Sequence, residues 1–244
     1  MVEKIKNMEL EKEIKKLFKE DPNEALYPID NKMKFLEDLG VEGMSSENIR
    51  YIINYLVKNY AKTYLEVGTY KGCSLISAKY KNDARCIAID NFSQFLGKNP
   101  KRDFKSNMIK ANIDIEFYEG DYRHLIPSIF KKEPNLKIDV YFYDGDHSYE
   151  NQLKGLNIIK PYLADKCIII VDDAAWPDPN KANLEWLSQN KDFKSILYSH
   201  YTPEEWIKGD EEFKSKVGNS GHGWPDHTSP PKWWNGLRLF WRDI

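Results

Sequence analysis

The chain is poor in cysteine, in long apolar stretches and in net charge. Cys73, Cys86 and Cys167 are widely spaced and odd in number, and no Cys-x-x-Cys pair occurs. That argues against a disulfide framework or a thiolate metal site and predicts three small buried thiols in a reducing, cytoplasmic setting. The longest apolar runs, such as Cys167-Ile168-Ile169-Ile170-Val171, are strand-length and far short of a bilayer span, so no membrane association is expected. A formal net charge of −2 lacks the basic excess that marks a nucleic-acid partner. The first residues are charged rather than apolar, which predicts no secretory leader. Repeats and low-complexity tracts are also missing. What is present is an ordinary globular apolar content of 41% over 244 residues, enough for one sizeable α/β core with at most a small appendage.

Residues 1–60 read as a helical prelude. Over 1–20, Ile5, Leu10, Ile14 and Leu17-Phe18 recur at helical spacing among Lys and Glu, which predicts an exposed amphipathic helix broken at Asp21-Pro22-Asn23. Ser45 or Ser46 can cap a second helix carrying Ile49, Ile52, Ile53, Leu56 and Val57 on one side. The prelude is a candidate for a homo-oligomer contact or for a cover over a ligand. From 61 onward the pattern changes. Short apolar runs at 63–67, 86–89, 113–118, 138–143 and 167–171 alternate with helix candidates near 73–80, 102–111, 122–131 and 148–163. Such alternation predicts a doubly wound, mostly parallel sheet with helices on both faces and right-handed crossovers. The stretch 174–244 holds all seven tryptophans and is expected to form loops, with one or two short strands around 195–198 and 237–241 and no separate domain.

In a doubly wound sheet, ligands gather where the strands end. The first run ends in Glu66-Val67-Gly68-Thr69-Tyr70-Lys71-Gly72-Cys73-Ser74. Gly68 and Gly72 permit a tight turn, and Ser74 can cap the next helix or bond a ligand. This is not the dinucleotide spacing Gly-x-Gly-x-x-Gly, and an acid at the strand end repels a pyrophosphate but suits a cationic ligand. Asp90-Asn91 closes the second run, about twenty residues past the glycine loop, where an acid can hold ribose hydroxyls or cap a helix. Gly120-Asp121-Tyr122 follows the third; Asp121 can accept from an exocyclic amine or cap the following helix, and Tyr122 offers a stacking face. Asp144 ends the fourth run, and Asp172-Asp173 ends the fifth. Neighbouring strands would crowd these three acids on one edge, where they repel one another unless a cation or protons intervene, and an all-oxygen set favours Mg2+ or Ca2+. The alternative is a set of solvated caps. His147 is the one histidine inside this group, a candidate general base or a surface turn residue. His124, His200, His222 and His227 have weaker context.

Taken together, these segments resemble a class I S-adenosyl-L-methionine-dependent methyltransferase. YLEVGTYKGCS at 64–74 resembles the first cofactor motif, CIAIDN at 86–91 the second, and FYEGDYRHLIP at 117–127 the adenine-side segment. The stretch 138–163 with CIIIVDD at 167–173 resembles the metal-dependent O-methyltransferases of the catechol type, and more closely the macrocin-type branch that methylates macrolide sugars. Gly236 through Arg242 resembles that branch's closing strand. The likeness covers 45–175 and the last strand, and fades over 1–44 and 175–235.

The resemblance implies a seven-stranded Rossmann-like domain over 61–244, with 175–235 supplying substrate loops. It implies that Glu66, Gly68, Tyr70, Gly72 and Ser74 surround the methionine part of S-adenosyl-L-methionine, that Asp90 and Asn91 hold the ribose, and that Gly120, Asp121 and Tyr122 border the adenine. Asp144, Asp172 and Asp173 would bind Mg2+, with Asp144 also beside the cofactor. In the catechol type a lysine stands where His147 stands here, so the base is either His147 or Asp144. The implied activity is O-methylation of a small molecule, a sugar or glycosylated compound being preferred. Tyr198, Tyr201, Trp206, Trp224, Trp233 and Trp234 are candidates for its aromatic wall or for core and contact positions. Rival readings are a nicotinamide-dependent oxidoreductase, a hydroxylase-like relative and a non-catalytic binding relative of the same fold.

Overall fold

The computed structural model describes residues 43–94, 99–209 and 235–243, together with Lys12, Leu36, 38–41, Glu211, Phe213 and Trp233. The helix expected over 1–20 and its break at 21–23 lie outside the described residues apart from Lys12. Helix α1, Glu47–Tyr60, starts at Ser46, whose side chain accepts from the Ile49 N–H. It turns Ile49, Ile52, Ile53, Leu56 and Val57 into the core, as the spacing predicts. Then β1 (Thr63–Val67), α2 (Cys73–Lys79), β2 (Arg85–Asp90), α3 (Pro100–Ala111), β3 (Glu116–Glu119), α4 (Tyr122–Lys132), β4 (Ile138–Tyr143), α5 (Tyr149–Ile159) and β5 (Leu163–Val171) alternate along the chain. The last elements are α6 (Pro177–Gln189), β6 (Lys194–Tyr198), α7 (Pro203–Lys208) and β7 (Leu237–Asp243).

The seven strands form one sheet in the order β3-β2-β1-β4-β5-β7-β6. The first five pair in parallel, and β7 runs antiparallel between β5 and β6. This is a Rossmann-like, doubly wound fold, with the topological switch between β1 and β4. Side chains alternate between the faces with period two. Tyr64, Val140, Phe142, Ile168 and Leu239 join α1 and α2 on one side. Leu65, Ile87, Tyr141, Ile169 and Phe240 pack against α4, α5 and α6 on the other. The three cysteines are buried and free. Among the described residues, no helix is long and apolar enough to cross a membrane.

Three local expectations need correction. β5 begins at Leu163 rather than at 167, because Lys166 continues the ladder opposite Asp243 although its side chain is exposed. The helix expected over 148–163 ends at Ile159 and tightens into a single turn of 3-10 helix at Lys160–Tyr162. Residues 177–189, within the stretch 174–244 expected to form loops, form α6. Pro177 occupies its first turn, where a missing N–H costs nothing, and Trp186 is buried between Phe193 and Phe240.

Candidate active site

Beyond Val67 the chain turns at Gly68, whose φ is +86° and whose N–H donates to the Ile89 carbonyl at 2.9 Å. A Cβ there would lie 1.8 Å from the Asp144 carbonyl oxygen, so glycine lets the β1 loop lie against the end of β4. Asp90 holds the same loop from the other side. Its Oδ2 accepts from the Thr69 and Tyr70 N–H groups at 2.7 and 2.8 Å, and its Oδ1 accepts from Phe92 N–H at 2.6 Å. Asn91 accepts from Ser93 N–H at 2.9 Å.

Glu66 lies behind this loop and is fully buried. The Tyr64 hydroxyl donates to its Oε2 at 2.5 Å and the Ser74 hydroxyl to its Oε1 at 2.7 Å. Burial pushes its carboxyl up to about 7, against the two hydroxyl bonds that favour the ionised form. Gly72 faces α3, where an added Cβ would meet the Met108 side chain.

At the third strand, Gly120 N–H donates to the Asp90 carbonyl at 3.0 Å. Asp121 caps α4 by accepting from Arg123 N–H at 2.8 Å, and the Arg123 guanidinium pairs with the same carboxylate and holds its carboxyl below the usual range. The Tyr122 ring meets Tyr143 edge-on at 5.7 Å, and its hydroxyl donates to the Asn151 carbonyl at 3.2 Å.

The strand pairing of β4 with β5 brings the three acids together. Asp144 is half-buried, while Asp172 and Asp173 are 3% and 8% exposed. Burial first, then mutual repulsion, pushes the carboxyls of Asp144 and Asp172 well above the ordinary range. Asp173 has φ +49° and divides its oxygens between two partners. Asn235 Nδ2 donates to Oδ1 at 2.8 Å, and His147 Nε2 lies 3.1 Å from Oδ2 and 3.7 Å from Asp144 Oδ1. The imidazole Nε2 thus faces both carboxylates, nearer to Asp173. Asp172 Oδ1 is buried and has no hydrogen-bond partner among the described residues. Among the described residues, no set of three or more His, Cys, Asp and Glu side chains is arranged to hold a metal ion.

One cavity of about 460 Å³ joins these strand ends. Gly68, Tyr70 and Ser74 reach it from the first loop, with Asp90 and Asn91 from the second. Gly120, Asp121 and Tyr122 line it beyond β3, and Asp144, His147, Asp172 and Asp173 line its other end. Glu66 and Gly72 are not on the lining. Sequence reasoning missed Met44 and Trp176, which are. Trp176 meets His147 edge-on at 5.7 Å and Trp206 at 6.0 Å, and Tyr201 joins Trp206 at 6.3 Å. Reading three residues past Asp173 would have found Trp176. Tyr198 and Trp233 stack at 5.0 Å and are buried in the core. Trp224, Trp234, His222 and His227 lie outside the described residues.

Residues 65–174 match a protein-family model described as a methyltransferase domain. No curated protein matches the chain. Among solved structures, the chain is similar to an O-methyltransferase from Bacillus cereus in complex with SAH, at 12% identity and a TM-score of 0.60, covering 89% of this chain and 93% of that one. It is similar to the O-methyltransferase TomG from Streptomyces achromogenes, involved in tomaymycin synthesis and in complex with SAM, at 13% identity and a TM-score of 0.56, covering 96% of each chain. An SAH-bound methyltransferase from Podospora anserina is similar at 12% identity and a TM-score of 0.54, with 88% of each chain covered. At such identities the likeness is one of fold.

Proposed function

We propose that this protein is an S-adenosylmethionine-dependent, Mg2+-assisted O-methyltransferase acting on a hydroxyl of a small molecule, a sugar or glycosylated compound. The observation that carries this reading is the single cavity running from the Gly68 loop and Asp121 to the cluster of Asp144, His147, Asp172 and Asp173. A cavity of about 460 Å³ lies in the size range of small-molecule and cofactor sites. The matched methyltransferase domain spans the same strand ends, from 65 to 174.

S-adenosylmethionine supplies a methyl group on a sulfonium, and its transfer breaks the S–C bond as the acceptor oxygen forms a new C–O bond. The first loop holds the amino-acid end through Gly68, Tyr70 and Ser74. Asp90 and Asn91 face the ribose, and Asp121 and Tyr122 the adenine. Asp144 or His147 takes the hydroxyl proton, and His147 is held for this by Asp173. Asp144, Asp172 and Asp173 are not drawn into a ready-made metal-binding set, but they would be the residues to hold Mg2+, and the buried Asp172 Oδ1, which no described residue satisfies, supports this, since an orphan carboxylate oxygen is costly without a cation or proton. Bound Mg2+ would lower the hydroxyl's pKa and fix its position. Trp176, on the cavity lining, gives the acceptor end a flat aromatic face suited to a sugar ring, and Trp206 packs against it.

Calorimetric titration with SAH, S-adenosylmethionine and NAD, each with and without Mg2+, tests the cofactor. SAH binding is expected, and binding of NAD alone overturns the reading. A screen of sugars, nucleotide sugars and phenols for methyl acceptance tests the acceptor. EDTA or Asp172→Ala is expected to abolish turnover, and full activity in either case removes the metal.

A further inference from the structure

Beyond β3, the two acids that flank Gly120 each already hold a cation. Gly120 takes φ +145°, and its N–H donates to the Asp90 carbonyl at 3.0 Å, which pins this loop to the end of β2. Lys101 of α3 reaches Glu119 at 2.6 Å. Arg123 takes Asp121 side-on. Its Nε lies 2.8 Å from both carboxylate oxygens, and its Nη2 bonds Oδ2. The Arg123 backbone N–H donates to Oδ1 at 2.8 Å, as the cap of α4.

Each oxygen of Asp121 therefore accepts two bonds, which fills its lone-pair directions. The guanidinium also holds the carboxyl below its usual range, so it stays ionised and paired. An exocyclic amine, which donates, meets no open acceptor there. The guanidinium is the reverse case. Every bond it makes to a described residue uses Nε or Nη2, so both Nη1 donors remain. Arg123 lines the cavity, and its side chain is 44% exposed. A guanidinium suits a purine edge with two acceptors, such as N7 and O6, whereas a carboxylate suits an exocyclic amine.

We propose that Arg123 determines base specificity in the cofactor cavity: by occupying Asp121 it turns the base-binding end into a hydrogen-bond donor, which reads the acceptor atoms of a purine rather than its exocyclic amine. The inference rests on the reading of this cavity as a nucleoside-cofactor site. It gives Asp121 the task of holding Arg123 in place while capping α4. The acid cluster at the other end of the cavity takes no part in it.

The test is calorimetric titration of the full chain with SAH and with S-inosylhomocysteine, in which a 6-oxo group replaces the amine. Wild type is expected to bind the oxo compound no more than about threefold more weakly than SAH, because N7 and O6 both accept from a guanidinium. Arg123→Met leaves the Asp121 carboxylate open to accept from the amine and to repel the oxo group, so it is expected to prefer SAH by at least about tenfold. Arg123→Ala is expected to shift the ratio the same way and replaces the methionine variant if that one does not fold, with thermal unfolding as the check. The same ratio in wild type and a folded variant, whether both favour SAH or neither does, overturns the proposal, as does a shift in the opposite direction. Equal weakening of both ligands is such a result and assigns Arg123 a purely structural role. Binding of neither compound by wild type overturns the cofactor reading and the inference with it, whereas SAH binding with an unchanged ratio overturns the inference alone.

Discussion

Replacing Glu66 by glutamine tests whether a motif acid can be a structural burden at working pH. Glu66 is fully buried beneath the β1 loop, with hydroxyls of Tyr64 and Ser74 on its two oxygens. Burial raises its carboxyl from 4.5 to about 7 in the folded chain. The folded state therefore holds a proton that the unfolded state has released between those two values. Stability contributed by Glu66 is fully present below the unfolded value and is lost as pH rises through the folded one. At about 1.4 kcal/mol for each pKa unit, the loss amounts to roughly 3 kcal/mol on the alkaline side. Glutamine removes this dependence. One of its two contacts must reverse, since an amide nitrogen cannot accept, at a cost of about 1 kcal/mol.

Urea denaturation at pH 5 and pH 8 reads both effects. At pH 5 Glu66→Gln is expected to be equal to wild type or about 1 kcal/mol less stable. At pH 8 it is expected to be about 2 kcal/mol more stable, because the variant escapes the ionisation cost. Parallel stability–pH curves for the two proteins would refute the reasoning, and would mean that Glu66 is ionised and satisfied in the fold.

Gly68→Ala is expected to cost about 3 kcal/mol by denaturant unfolding, from the left-handed backbone and the overlap with the Asp144 carbonyl, and to weaken SAH binding along with it. Asp90→Asn leaves one acceptor oxygen where two serve three N–H groups, so SAH affinity is expected to fall at least about tenfold by calorimetry with the fold retained. Trp176→Ala is expected to leave SAH affinity unchanged and to raise the acceptor KM by about three- to tenfold, the worth of one aromatic face.

Strand-and-helix alternation after residue 61 was legible because parallel strands buried on both faces are written as unbroken apolar runs. Cys167 to Val171 shows it, and so does Ile138 to Tyr143 apart from half-buried Asp139. The strand-end acids were legible for the same reason, each standing at the first polar step after such a run. β3 was harder to bound, since it lies at the sheet edge and is only half-buried. α6 was hidden by its prolines, which mark a helix start only when the helix is already suspected. Asn235 had no signal of its own. Its importance comes from the antiparallel pairing of β7 with β5, which sets it beside Asp173, about sixty positions away, a contact that no local pattern announces.

The same acids also show why cap and ligand are poor alternatives at this sheet edge. Asp121 caps α4 and lines the cavity, and Asp90 ties down two segments while facing the same space. A carboxylate offers about two acceptor directions on each oxygen; Asp90 Oδ2 takes two backbone N–H groups and the Thr69 hydroxyl, while Oδ1 takes one N–H and keeps room for a ligand hydroxyl. Asp173 is held differently, with a buried amide on one oxygen and an imidazole on the other. Asp172 stands at the opposite extreme, with a buried oxygen that no described residue satisfies. The edge thus grades from acids that build it to one that waits for a partner. Tethering the first kind is what keeps the last in place, because the Asp173 turn that Asn235 anchors fixes the backbone on which Asp172 sits.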